Sequence, residues 1–231
     1  MARTALAGGH RPRALREAAA TAAGLYAIIL MFGPVSGAHF NPVVSFVDAA
    51  FGGLRWTDAS AYLGAQVAGC MGGAIVANVM FGLEAVSIST KHRASGPHFV
   101  SEVVATLSLL LVIFALARSG WGRSAPAAVG AYIGAAYFFT SSTSFANPAI
   151  TLGRMLSNSF AGIAPSSAPL FSAAQVVGAV VAVGGRWCDK GPLSLRHPGG
   201  GCQRRPAPRH GWVPHLRARV RARNGTSKER S

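Results

Sequence analysis

The feature that most constrains this chain is an internal repeat built around two Asn-Pro pairs. Residues 36–46 read SGAHFNPVVSF and residues 142–152 read STSFANPAITL, so Asn41-Pro42-Val43 and Asn147-Pro148-Ala149 share a small polar lead-in and an apolar follow-on. Further along, YLGAQVAG at 62–69 matches FSAAQVVG at 171–178. The steps from Asn to Gln are 25 residues to Gln66 and 28 to Gln175, so the two halves keep pace.

An Asn followed by Pro is a helix start: Asn caps, and Pro at the first helical position loses no hydrogen bond. In each half only about 10 apolar residues follow the proline, too few to cross about 30 Å of hydrocarbon. Segments that can cross flank them. The apolar stretches are 18–35, 59–83, 99–117, 125–140 and 169–183, the last of them marginal in length. The composition agrees, with half of the 231 residues hydrophobic and only 13% charged, about half the charge of a soluble domain. The Asn-Pro segments therefore read as re-entrant half-helices, because irregular backbone at membrane depth survives only where it lines a protein cavity. Gly64, Gly69, Gly72 and Gly73, and Gly130 with Gly134, are expected to let helices approach closely.

Two half-helices from an inverted repeat meet near the midplane with their N-termini facing one another. The positive helix ends and the Asn41 and Asn147 amides then offer donors to a passing oxygen and repel cations. A water held there accepts from both asparagines and cannot relay a proton onward.

The paired boxes, the Ser-Gly-x-His-Phe lead-in and the Ala-Gln-x-x-Gly repeats resemble the major intrinsic proteins, the aquaporins and aquaglyceroporins, over about 18–183. The resemblance implies an all-α membrane fold with two re-entrant half-helices and six spans, a pore in each subunit and a homotetramer in the bilayer. About five spans are visible here: the first-half partner of the span carrying Glu102 is missing. Glu102 matches a buried glutamate that bonds loop backbone, with Gln66 and Gln175 as further structural support. The family's outer constriction carries over to Thr21, Ala135, Ser144 and Ile150. An arginine is expected where Ile150 stands, so the resemblance implies a wider, less polar passage for water and small neutral solutes, polyols or undissociated metalloid hydroxides such as arsenous acid. Arg154, one turn further on, is either a substitute pore cation or a cap on neighbouring carbonyls. Tyr137, Phe138 and Phe139 read as packing, and His39 and His98 as satisfied loop residues.

The ends read differently. Residues 1–17 are basic, and 12 of the 22 Lys and Arg lie from Arg186 onward, in a stretch of Arg, Pro, Gly and His that predicts a disordered tail over 185–231. A shifted reading frame or misassigned ends would produce this pattern, and a truncated, non-conducting homologue is the alternative to a channel. The arginines lack the zinc spacing or aromatic interleaving of a specific nucleic-acid module. Cys70, Cys188 and Cys202 lack metal-site spacing and suggest no disulfide. No cofactor, metal or catalytic set is expected, and the location is a multi-pass one in a cell membrane.

Overall fold

The computed structural model describes residues 11–184. In chain order its helices are α1 (Arg11–Ser36), α2 (Pro42–Ala50), α3 (Trp56–Met80), α4 (Gly96–Arg118), α5 (Ala125–Phe139), α6 (Pro148–Gly153) and α7 (Ala168–Gly184). No strand occurs among the described residues. The segment 1–10 and the tail 185–231 lie outside them, with Cys188 and Cys202.

Among the described residues four helices are long and apolar enough to cross a membrane: Pro12–Ser36, Trp56–Met80, Gly96–Arg118 and Pro165–Gly184. Two of them extend beyond the apolar runs of the sequence. Helix α1 begins at Arg11, ahead of the apolar run that starts at 18, and carries Arg13 and Arg16 on exposed positions. The marginal last span gains a 3-10 turn at Pro165–Ser167 and reaches 20 residues. The stretch at 125–140 is short, as its sequence suggests: the 15 residues of α5 rise about 22 Å.

The half-helices form for the reasons their sequences give. Asn41 and Asn147 hold extended backbone (φ −143° and −157°), and each side chain accepts from the helix it caps: Asn41 from the Val43 N–H, Asn147 from those of Ala149 and Ile150. Pro42 and Pro148 occupy the first turn. Chain direction is set just upstream, where Ala38, Thr143, Ser144 and Ala146 all have φ between 47° and 63°. Such left-handed backbone is unusual for residues with a Cβ and persists only where surroundings over-determine it.

Helix α4 packs along α7 and α1 along α5, while α3 carries α6 and α2 lies between α3 and α7. Val43, Val44, Val47, Leu109, Leu110 and Ile133 belong to the core between them. Small residues permit the closest approaches. A Cβ on Gly178 would sit 2.7 Å from the Val103 carbonyl of α4, one on Gly130 2.7 Å from the Ala22 carbonyl of α1, and one on Gly134 3.0 Å from the Ala22 Cβ. The same expectation fails for α3: Gly64, Gly69, Gly72 and Gly73 all face open space. Gly69 stands where Gly178 stands in the repeat, but no helix of the described chain lies against it. Exposed Val76, Val79, Met80, Phe138 and Phe139 suit a surface that meets hydrocarbon.

Candidate functional site

The N-termini of α2 and α6 meet at the centre of the bundle, and the two asparagines join them by an exchange. Asn41 Nδ2 donates to the Ala146 carbonyl at 2.6 Å and Asn147 Nδ2 to the Phe40 carbonyl at 2.8 Å. Each amide thus holds the residue just before the other asparagine. Both are buried, and each Nδ2 keeps a second N–H.

Behind each asparagine stands a matched polar relay. In the second half the Thr151 hydroxyl donates to the Asn147 carbonyl at 3.0 Å and accepts from Gln175 Nε2 at 3.1 Å. In the first half the Ser45 hydroxyl donates to the Asn41 carbonyl at 3.2 Å and accepts from Gln66 Nε2 at 3.1 Å. The halves differ in where the second glutamine N–H goes. Gln175 donates to Glu102 Oε2 at 2.7 Å, and Glu102 also accepts from the Phe145 and Ala146 N–H groups, both at 2.9 Å. Gln66 donates to the His39 carbonyl at 2.6 Å, and its own Oε1 is buried without a partner among the described residues. Glu102 therefore holds the two residues leading into Asn147.

His39 is held by contacts at both ring nitrogens, with Nδ1 3.2 Å from Ser45 Oγ and Nε2 3.5 Å from Asp48 Oδ2. His98 lies in the first turn of α4 instead of a loop, its Nδ1 2.7 Å from the capping Ser95 hydroxyl.

The four residues expected at the constriction do not all converge. Ser144 is buried, with an Oγ that has no partner among the described residues. Ile150 is half-buried in the first turn of α6, its N–H on Asn147 Oδ1. Thr21 lies within 3.3 Å of the Tyr137 hydroxyl. Ala135 is exposed, because helical periodicity turns it away from the core face formed by Ile133, Ala136 and Tyr137. Tyr137, which the sequence assigned to packing with Phe138 and Phe139, is the buried polar residue of α5 that reaches the site; the other two stay exposed. No periodic signal separated it, because the α5 sequence is apolar on every face.

Arg154 completes the group. Its Nη2 donates to Tyr137 Oη at 2.9 Å, its guanidinium carbon lies 4.3 Å from the centre of the Phe145 ring, and its Nη1 is buried without a partner among the described residues. Glu17, one turn before Thr21 on α1, lies within electrostatic reach of Arg154, Arg93 and Lys91. Arg93 is spent on structure: it donates to the carbonyls of Gly162 (2.8 Å), Phe160 (2.9 Å) and Ser142 (3.3 Å) and thereby ties the connection between α3 and α4 to the segments flanking α6. Burial, then the charge of Arg154, holds the Arg93 guanidinium below its ordinary pKa. The same connection pairs its Ser87 and Ser89 N–H groups with the Leu156 and Met155 carbonyls. An apolar cavity of about 440 Å³ between α2 and α7, lined by Val43, Val47, Val176, Ala179 and Val180 among others, lies on different side chains from this polar group.

Comparison with known proteins agrees with the geometry. The sequence model of the major intrinsic protein family matches residues 4–146. Aquaglyceroporin AqpS of Rhizobium meliloti (strain 1021) is 47% identical over 165 residues, 71% of this chain and 70% of that protein. Aquaporin NIP1-4 of Oryza sativa subsp. japonica is 35% identical over 145 residues, 60% of this chain and 53% of its own length. The probable aquaporin NIP7-1 of Arabidopsis thaliana is 34% identical over 116 residues, 49% of this chain and 41% of that protein. With a family match over more than half its length, a close bacterial relative and an all-helical fold rich in membrane-length apolar helices, the chain belongs to the major intrinsic protein family of multi-pass membrane channels, and is no enzyme.

Proposed function

We propose that the chain passes water and small neutral hydroxylated solutes through a cell membrane, with Asn41 and Asn147 at the centre of the path. The observation that carries this reading is the asparagine exchange: each amide spends one N–H on the opposite half and retains one for a solute oxygen. A molecule accepting from both is oriented by fixed donors at two helix N-termini, where a cation would meet like partial charge. Val43, which replaces the alanine of the second box, leaves the cap and the proline unchanged and is buried in the core, so the centre works the same way on both sides.

The apolar Ile150 between Asn147 and Arg154 favours solutes with some carbon or metalloid bulk over a passage for water alone. Polyols and undissociated metalloid hydroxides are the proposed class, and the name of the rhizobial aquaglyceroporin supports the glycerol part of it. The experiment is stopped-flow light scattering on proteoliposomes given osmotic gradients of sucrose, glycerol or arsenous acid. Water and glycerol permeabilities well above those of empty vesicles are expected. Permeabilities no higher than empty vesicles would leave a non-conducting homologue as the reading.

A further inference from the structure

We propose that Arg154 supplies the fixed cation of the constriction beside α6, and that Tyr137, Thr21 and Ser144 build with it a slot for the hydroxyl groups of a neutral solute. The inference rests on the channel reading above and adds the residues that select.

The position closest to Asn147 where a cation would do this work carries Ile150, which has no polar atom to offer. Arg154 begins one turn further out, past the end of α6, and its guanidinium lies against Phe145, two residues before Asn147, so it reaches back over the same turn. Two attachments fix the group: the ring of Phe145 at 4.3 Å and the hydroxyl of Tyr137 at 2.9 Å. Tyr137 accepts from the arginine, which leaves its own proton to give to Thr21 Oγ1 at 3.3 Å. One chain of contacts therefore runs from α1 through α5 to the turn after α6, joining three elements around one spot.

What remains unpaired in that region is informative. Buried polar atoms are nearly always hydrogen-bonded, so a buried one without a partner needs an explanation. Among the described residues the side-chain atoms in this state include Arg154 Nη1 and Ser144 Oγ, a donor and a donor-acceptor, both on the loop and turn flanking α6. Arg93, the other buried guanidinium nearby, offers the contrast, since Nε and both terminal nitrogens donate to carbonyls. Arg93 holds the loops, and Arg154 has a hydrogen bond to give. A solute carrying hydroxyls supplies the acceptor for Nη1 and a partner for Ser144, and the apolar side chain of Ile150 faces a solute's carbon backbone more comfortably than it faces water.

The test uses the full chain in proteoliposomes, measuring water and glycerol permeability by light scattering and potassium leak under a valinomycin-free diffusion potential. Arg154→Leu removes charge and donor together: potassium leak is expected to rise about tenfold and glycerol permeability to fall about tenfold, with water changed less than about twofold. Arg154→Lys keeps the charge and loses the planar fork, so it should retain cation exclusion and still lose glycerol permeability. If Arg154→Leu does not reconstitute, Tyr137→Phe carries the test, because it unties the guanidinium without removing it and should lower glycerol permeability while leaving potassium excluded. Wild-type values of both leak and glycerol permeability in a folded Arg154→Leu or Tyr137→Phe protein would overturn this inference alone. A wild-type protein no more permeable than empty vesicles would overturn the channel reading and this inference with it.

Discussion

Glu102 shows how much one side chain is asked to hold in the middle of a bundle. It is fully buried, and its two oxygens take the N–H groups of Phe145 and Ala146 and one from Gln175. Those two backbone groups lead into Asn147 through the left-handed residue Ala146, so the carboxylate fixes the strained approach that aims the asparagine. Replacement by leucine strands three donors at about 1–3 kcal/mol each. Glu102→Leu is therefore expected to lose most of its native fold in detergent, and Glu102→Gln, which keeps shape but turns one acceptor into a donor, to lower the thermal midpoint by a smaller amount. Thermal unfolding of detergent-solubilised protein checks both, and an unchanged midpoint for the leucine variant would rule out this role. The sequence pointed to Glu102 because an acid inside an apolar run demands a partner. It could not point to Tyr137, because a tyrosine in an aromatic run looks the same whether its hydroxyl meets lipid headgroup, water or arginine.

At the level of elements, the two halves of the repeat are alike in their half-helices and unlike in what leans on them. Gly178 lets α4 come so close to α7 that a side chain would press on the Val103 carbonyl, whereas Gly69, its counterpart in α3, faces open space. Gly178→Val should cost about 1–3 kcal/mol through overpacking. Gly69→Val should cost little within one chain, beyond the modest helix propensity of valine. Thermal midpoints of the two variants in detergent, measured side by side, test the asymmetry; equal losses would mean that α3 is as closely packed as α7. Identical Gln-x-x-Gly motifs could not reveal this difference, since a glycine permits an approach without requiring one.

Over the whole molecule, the expectation to be met is assembly. Helices α1 and α3 present wide apolar faces with few buried residues, and lipid tails offer no hydrophobic drive to cover them, so any association must come from packing of small residues and polar contacts. The homotetramer implied by the family is expected to appear as a four-copy species in native mass spectrometry from mild detergent, and a strictly monomeric protein would withdraw it. Sequence by itself determined what is periodic or local: the repeat, the two caps with their prolines, the membrane class, and the acid that needed partners. Each of these follows from chemistry within a few residues or from a segment's length against a bilayer. Only the tertiary structure decided which face of α5 looks inward, why Tyr137 and not Ala135 reaches Thr21, where the guanidinium of Arg154 goes once the helix ends before it, and which glycines touch a neighbour. Those depend on helix rotation and on contacts between residues more than a hundred positions apart in the chain, as Thr21 and Tyr137 are, and no local pattern encodes them.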